Sequence, residues 1–147
     1  MTKVYLSGKM SGRTGHDVVV ERQRAIELCL EHNLTPLDPG KNEHLKDIPE
    51  LVSASVTYPV MKFFVAKDVY AIDHSDVVLV LTGDTPSDGT WWEMGQAHFK
   101  TGIPVVMVAP NRCSGDIVGF SNVMVDALFP TIEEAVKFIA DNYTGGK

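Results

Sequence analysis

Two acidic residues, far apart in the chain, lie where a carboxylate can do chemistry. The first, Asp68, falls in the middle of the apolar stripe of a predicted helix, at about 100° per residue. That stripe consists of Met61, Phe64, Val65 and Ile72. A buried carboxylate costs free energy unless it is paired, hydrogen-bonded or directed at a ligand. We expect Asp68 to face a ligand site; a hydrogen bond to backbone N–H at a helix end is the alternative.

The second carboxylate, Glu93, is predicted in the first turn of a helix that follows a loop over residues 83–89. A helix N-terminus favours the ionised form of a carboxylate. Trp91 and Trp92 cannot both face the core of one helix, so at least one is available to line a pocket or an interface. The spacing of Thr90 and Glu93 also fits a capping box, in which Glu93 would bind only the backbone of its own helix.

Together, Asp68 and Glu93 predict a pair of carboxylates around one ligand. In sugar chemistry such a pair supports nucleophilic attack at an anomeric carbon and proton transfer at the leaving group. Glu93 is the candidate nucleophile, because a nucleophilic carboxylate must stay ionised. Tyr5, in the first predicted strand, could hold it by a hydrogen bond, although an ordinary strand aromatic is the alternative.

A glycine-containing loop follows the first strand, with the sequence Gly8-Lys9-Met10-Ser11-Gly12-Arg13. It matches neither the dinucleotide fingerprint nor the P-loop. Glycines nevertheless let backbone N–H groups approach an anion, and the start of the next helix adds partial positive charge. An anion site and a plain connection with solvated cations both remain open. The histidines lack the spacing of a zinc site, so we expect no metal.

The elements that position these residues alternate between strand and helix. The predicted strands are 4–6, 34–37, 77–81, 104–109 and 123–128. The predicted helices begin near 17, 47, 58, 91 and 130, and Gly102 is the expected stop of the fourth. This order predicts an α/β fold with a parallel sheet of about five strands, covered on both faces. Ligands of such sheets bind beyond the carboxyl ends of the strands.

Length and composition limit the possible functions. The chain has 147 residues and a net charge of −6, with no run of basic residues. We therefore expect one domain over residues 1–147 and no nucleic-acid polymer as partner. Its apolar runs are too short to span a membrane, and no signal peptide is expected. Cys29 and Cys113 are expected to be reduced thiols of a cytoplasmic protein.

Several stretches of the sequence resemble the nucleoside 2-deoxyribosyltransferase family. They are Tyr5–Gly8, Ala66–Val69, Ser75–Val78 and Ser87–Gly95. The resemblance extends from Tyr5 to about Asn122, and Asp88–Gly95 is its most specific part. It implies a flavodoxin-like or Rossmann-like three-layer fold and no cofactor. It also implies transfer of a deoxyribosyl group from a 2′-deoxynucleoside to another nucleobase, through a covalent intermediate on a glutamate.

The resemblance also implies a role for each candidate residue. Glu93 would attack C1′, Tyr5 would orient it, Asp68 would bind the sugar hydroxyls or assist, and Asp88 would give the base its proton. Family sites are completed by a neighbouring subunit, which implies a homo-oligomer. The candidate substrate-binding residues, the last two acting across that interface, are Ser7, Gly8, Lys9, Met10, Ser11, Gly12, Arg13, Ser87, Gly89, Trp91, Trp92, Ser121 and Asn122.

The first loop departs from the transferases, which have aromatic residues there. It is closer to the related 2′-deoxynucleoside 5′-monophosphate N-hydrolases, in which Lys9, Ser11 and Arg13 would bind the phosphate and water would accept the sugar. The transferase nevertheless remains the leading prediction, and the hydrolase is its alternative. A nucleotide-sensing module without catalysis is the third possibility, because the fold alone does not define an activity.

Overall fold

The structure, a computed structural model, describes residues 1–8, 13–40, 58–81, 88–110 and 123–143, with backbone only for 58–64 and 88. Strands and helices alternate along it as far as Val108, and a last strand and a last helix follow after residue 123. The strands are β1 (Lys3–Gly8), β2 (Thr35–Leu37), β3 (Val77–Leu81), β4 (Val105–Val108) and β5 (Ala127–Phe129). The helices are α1 (Gly15–Glu31), α2 (Tyr58–Asp73), α3 (Asp88–Gly95) with its π-helical continuation Gln96–Thr101, and α4 (Ile132–Tyr143).

The five strands form one parallel sheet in the order β2-β1-β3-β4-β5. This is the flavodoxin-like order, and it confirms the predicted α/β fold with about five parallel strands. The direction of winding reverses between β1 and β3, and ligands of such folds bind at that point, beyond the carboxyl ends of the strands. The loops after β1 and β3 therefore flank the expected site.

Side chains alternate along β1 and divide the core into two layers. Val4 and Leu6 pack with α1 and α4, in a cluster that also contains Cys29 and Ile139. Tyr5 faces the other side of the sheet. The cluster on that side consists of Tyr5, Ile72, Val78, Val80, Met94, Ala97, Val105, Met107, Ala109 and Met124. These two layers of helices around one sheet give the predicted three-layer architecture.

The carboxyl ends of β1 and β3 approach each other closely. A Cβ atom at Gly8 would collide with the carbonyl oxygen of Leu81, which is its partner in the parallel register. Gly8 was a candidate substrate-binding residue; in the structure the absence of its side chain lets the two central strands meet at the edge of the sheet.

One helix begins earlier than predicted. α3 starts at Asp88, inside the stretch predicted as a loop, so Glu93 is its sixth residue and not in its first turn. The argument that the helix N-terminus keeps Glu93 ionised is therefore wrong, because that effect falls off within the first turn. Gly102 ends the π-helical continuation as expected, in a left-handed conformation with φ of 68°.

The last strand is shifted from its predicted position. Val123 and Met124 are helical, and β5 begins only at Ala127. Just before it, the Asp126 carboxylate accepts a hydrogen bond of 2.8 Å from the backbone N–H of Val105. The helix predicted near residue 47 lies outside the described residues. Within the described ranges, none of the helices has the length and apolar character needed to cross a membrane.

Candidate active site

The carboxylate of Glu93 is held by two hydroxyl groups. The hydroxyl of Tyr5 donates a hydrogen bond of 2.9 Å to Oε1, and the hydroxyl of Ser7 donates to Oε2. Tyr5 and Ser7 are two residues apart on β1, so their side chains project from the same face of the strand. Both carboxylate oxygens are thereby fixed above the carboxyl end of β1.

The packing of α3 brings Glu93 to this position. Met94 is fully buried in the sheet interface, and Thr90, one turn earlier, is 2% exposed. Because Thr90 lies inside the helix and Glu93 binds β1, the pair does not form the capping box considered from the sequence. Trp91 packs against the core, whereas Trp92 is 42% exposed. Trp92 is thus the more exposed of the two, and Trp91 is partly buried.

Burial raises the pKa of Glu93 to about 7. The hydrogen bond from Ser7 opposes this effect, and the negative charge of Asp68 adds to it. The hydrogen bond from Tyr5 and the positive charge of Arg22 lower the pKa of Glu93 by smaller amounts. A carboxyl group whose pKa is raised by burial and by a second carboxylate is typical of a functional site.

Asp68 lies within electrostatic range of Glu93. α2 runs into β3, so its last turns lie at the amino edge of the sheet and earlier turns approach the carboxyl edge. Ile72 is fully buried, and Asp68, one turn earlier on the same face, is partly buried. Val65, a member of the predicted stripe, is 39% exposed, and the side chains of Met61 and Phe64 lie outside the described part of the chain. Asp68 therefore stands where the buried face of α2 meets the site.

Tyr5 acts as a hydrogen-bond donor in this arrangement. Its side chain is fully buried, and burial raises its pKa well above the ordinary range. The negative charges of Glu93 and Asp68 raise the pKa of Tyr5 further. A phenol is already protonated near neutral pH and the raised pKa strengthens this, so Tyr5 presents its proton to Glu93.

Sequence reasoning missed a buried ion pair next to the site. Nη1 of Arg22 lies 2.7 Å from Oδ1 of Asp38 and donates a second hydrogen bond, of 3.0 Å, to the carbonyl oxygen of Leu6. A signal was present, because Arg22 interrupts the apolar stripe of α1 between Val18 and Ala25 just as Asp68 interrupts that of α2.

A third contact ties α2 to the same region. Nζ of Lys67 donates a hydrogen bond of 2.7 Å to the carbonyl oxygen of Pro39, in the turn after β2. Arg13, the only residue of the Lys9–Arg13 loop within the described ranges, forms an ion pair of 2.8 Å with Glu21. In the part of the chain that the structure describes, no cluster of three His, Cys, Asp or Glu side chains could hold a metal ion.

The remaining candidates are only partly covered. The backbone of Asp88 begins α3, and Gly89 follows it as an exposed residue. The candidates outside the described residues are Lys9, Met10, Ser11, Gly12, Ser87, Ser121 and Asn122. Of the two cysteines, Cys29 is a buried free thiol whose pKa burial raises to about 12, and Cys113 is outside the described residues.

Fold and site define an α/β protein of the flavodoxin-like class with a pair of acidic residues at the carboxyl edge of its sheet. The sequence model of the family described as nucleoside 2-deoxyribosyltransferase matches residues 4–128. The chain belongs to this family, as the sequence resemblance indicated. Membership in this family makes it an enzyme of nucleoside glycosyl transfer.

Solved structures share the fold at low sequence identity. The 2-deoxyribosyltransferase of Bacillus psychrosaccharolyticus is 21% identical, with a TM-score of 0.66 over 90% of this chain and 89% of that chain. The 2-desoxiribosyltransferase of Leishmania mexicana is 12% identical, with a TM-score of 0.63 over 97% and 99%. The CMP N-glycosidase BcmB of Clostridium botulinum is 12% identical, with a TM-score of 0.56 over 94% and 98%. No curated protein matches the sequence significantly.

Proposed function

We propose that the protein cleaves the N-glycosidic bond of 2′-deoxynucleosides and transfers the deoxyribosyl group to another nucleobase, with Glu93 as nucleophile. The observation that carries the proposal is the pair of hydroxyl donors, Tyr5 and Ser7, which hold the Glu93 carboxylate at the carboxyl edge of β1. A fixed carboxylate reacts with a smaller loss of entropy than a mobile one.

The reaction has two displacements at C1′. In the first, an oxygen of Glu93 bonds to C1′ while the bond from C1′ to the base nitrogen breaks, and its electron pair leaves with the base. Asp88 supplies a proton to the departing base. In the second, a nitrogen of the incoming base attacks C1′, the bond to Glu93 breaks, and the carboxylate is regenerated. The proton released by the new base returns to Asp88.

Asp68 binds the sugar and stabilises the transition state. Positive charge develops on the sugar ring as the glycosidic bond breaks. The negative charge of Asp68 lies close enough to raise the pKa of both Glu93 and Tyr5, so it also acts on positive charge at a sugar bound beside them. Its carboxylate oxygens accept hydrogen bonds from the sugar hydroxyls.

The site is completed by a second copy of the chain. Ser121 and Asn122 contribute from the neighbouring subunit, and Val123, the next residue along the chain, is 58% exposed. Trp92 on α3 and Phe99 on its π-helical continuation are also exposed apolar side chains. Exposed large apolar side chains are typical of interfaces where they form a contiguous patch. Sedimentation of the protein at micromolar concentration tests this arrangement, and a monomer that is fully active would contradict it.

A hydrolase for 2′-deoxynucleoside 5′-monophosphates is the second candidate. Arg13 directly precedes the N-cap of α1, Thr14, so the Lys9–Arg13 loop leads into a helix N-terminus. Such a position attracts a phosphate group. In this reaction water attacks C1′ of the sugar bound to Glu93, and the bond between C1′ and Glu93 breaks. The water gives up a proton to Asp88, the carboxylate of Glu93 is regenerated, and deoxyribose 5-phosphate leaves.

Chromatography of base release separates these activities. The protein is incubated with each deoxynucleoside and each deoxynucleotide, with and without free adenine. Formation of a new nucleoside supports the transferase, and release of base from a monophosphate without exchange supports the hydrolase. If neither product forms from any substrate, the result contradicts the proposal and favours a sensor.

The variant Glu93→Gln tests the role of the nucleophile. It keeps the shape of the side chain and removes its negative charge, so turnover is expected to fall by a factor of about a thousand or more. Glu31→Gln, at the exposed C-terminal end of α1, is the matched control and should retain full activity. An intact-mass increase of one deoxyribosyl group in the wild type, absent from Glu93→Gln, would identify the covalent intermediate.

A further inference from the structure

The buried ion pair of Arg22 and Asp38 has no part in the chemistry proposed above, yet it borders the site. Their side chains are 6% and 11% exposed. Burying two charges costs free energy that their attraction offsets only when the geometry and the remaining hydrogen bonds are favourable. Apolar side chains on the stripe of α1 would avoid that cost, so the pair calls for an explanation beyond packing.

The guanidinium of Arg22 supports β1 at the point where its neighbouring strand ends. The pairing of β1 with β2 stops at Tyr5, which is opposite Leu37. The carbonyl oxygen of the next residue, Leu6, accepts its hydrogen bond from Arg22. Arg22 therefore extends the support of β1 by one residue beyond β2, between the two residues whose hydroxyls hold Glu93.

The same network reaches the second acidic residue. Oδ1 of Asp38 accepts hydrogen bonds from Arg22 and from the backbone N–H of Gly40, at 2.7 and 3.0 Å. The intervening residue, Pro39, accepts the hydrogen bond from Lys67. Lys67 precedes Asp68 on α2. The turn over residues 38–40 is thus joined on one side to β1 and on the other to α2, the elements that position Glu93 and Asp68.

We propose that Arg22 is a positioning residue for Glu93, which holds β1 through the carbonyl oxygen of Leu6 so that the hydroxyls of Tyr5 and Ser7 stay aligned with that carboxylate. The inference rests on the proposed function of Glu93 as nucleophile. Asp38 holds Arg22 in place from the turn after β2.

The charge of Arg22 gives this role a measurable signature. Among the described residues, the groups that act on Glu93 are Tyr5 and Ser7 from β1, Asp68 from α2 and Arg22 from α1. Of these, Arg22 is the cation, and it lowers the pKa of Glu93. A residue needed only for folding would change stability without moving the pH at which Glu93 ionises.

Arg22→Met tests the inference, with Arg24→Met as its matched control. Arg24 is on the same helix, but it pairs with Glu133 at the surface, where the two side chains are 46% and 53% exposed. Arg22→Met should lower kcat about tenfold, because the carboxylate is less well aligned. It should also move the acid limb of the kcat/KM profile to higher pH by roughly half a unit or more. Arg24→Met should change neither quantity.

Two further variants keep the test independent of folding. If Arg22→Met does not fold, the double variant R22M/D38N removes both buried charges, and it should show the same lower kcat and the same alkaline shift. Asp38→Asn keeps the guanidinium charge and loosens its hold, so its acid limb should lie at lower pH than that of Arg22→Met. A wild-type kcat and acid limb in Arg22→Met or the double variant would overturn the inference, as would an alkaline shift in Asp38→Asn as large as that in Arg22→Met.

Glu93→Gln distinguishes failure of this inference from failure of the proposed function. If Glu93→Gln stays active, the nucleophile is wrongly assigned and the role of Arg22 falls with it. If Glu93→Gln is inactive while Arg22→Met behaves like the wild type, only the positioning role of Arg22 is overturned.

Discussion

The hydroxyl of Tyr5 lies 2.9 Å from Oε1 of Glu93, although 88 positions separate them in the sequence. Tyr5 is fully buried in the middle of β1, so its ring is held by the sheet and by the helices packed over it. The rigid strand thus determines where the carboxylate points. This contact predicts how activity responds to loss of each partner.

Tyr5→Phe removes the hydroxyl and keeps the ring. We expect kcat to fall roughly ten- to a hundredfold, because one carboxylate oxygen loses its fixed donor. The hydrogen bond lowers the pKa of Glu93, so its loss should move the acid limb of the kcat/KM profile to higher pH. Tyr70→Phe is the control, since Tyr70 is 66% exposed on α2. A Tyr5→Phe enzyme with the wild-type pH profile would show that the hydroxyl does not act on Glu93.

Ser7→Ala removes the donor to the other oxygen. The hydrogen bond from Ser7 lowers the pKa of Glu93 more than that from Tyr5 does. The acid limb should therefore move further toward high pH in Ser7→Ala than in Tyr5→Phe. Ser75→Ala is the control, because Ser75 is also buried but donates to the backbone carbonyl of Ile72. Equal or reversed shifts in the two site variants would contradict the ranking.

Asp68→Asn should move the acid limb in the opposite direction. The charge of Asp68 raises the pKa of Glu93, so its removal lets Glu93 ionise at lower pH. KM should rise by about tenfold, because a charged acceptor for the sugar hydroxyls becomes a neutral one. Asp73→Asn, exposed near the end of the same helix, should leave both parameters unchanged. The measurement is the profile of kcat/KM against pH. A shift of the acid limb of Asp68→Asn toward high pH would show that the charge of Asp68 does not raise the pKa of Glu93.

The sequence predicted the fold better than the contacts within the site. β3 runs from Val77 to Leu81 as predicted, because a β-branched apolar run is a local signal that needs no knowledge of the rest of the chain. The start of α3 was misplaced, because Asp88 and Gly89 are common in loops yet are tolerated in a first helical turn. Because the predicted helix began about one turn too late, Glu93 was expected in its first turn and not in its second.

Contacts between distant residues depend on strand register and helix packing, which local patterns do not contain. The approach of Ser7 to Glu93 requires β1 to lie beside β3 with its odd-numbered side chains facing α3. The role of Arg22 likewise depends on β2 ending opposite Tyr5. The position of Arg22 within an apolar stripe was nevertheless visible in the sequence. Like that of Asp68, it indicates a charged side chain that is partly or fully buried and needs a partner.

The raised pKa of Glu93 also predicts how stability depends on pH. The folded pKa is about 7, whereas the ordinary value for a glutamate is 4.5. Between these values the folded state binds more protons than the unfolded state, so the free energy of unfolding falls as pH rises through this window. The contribution of Glu93 to this fall is on the order of 3 kcal/mol.

Glu93→Gln removes the titration, so its free energy of unfolding should decline less between about pH 5 and about pH 8. Urea denaturation of both proteins at the two pH values measures the difference. The variant should be the more stable protein at the higher pH, because the cost of burying an ionised carboxylate is gone. One of the two hydroxyls, of Tyr5 or Ser7, can still donate to the amide oxygen, and the other can accept from the amide N–H. Parallel pH dependence in the two proteins would mean that Glu93 is ionised throughout, and that burial does not set its pKa. A variant that is inactive yet more stable would show that the protein keeps this carboxylate at the expense of stability, as functional sites often do.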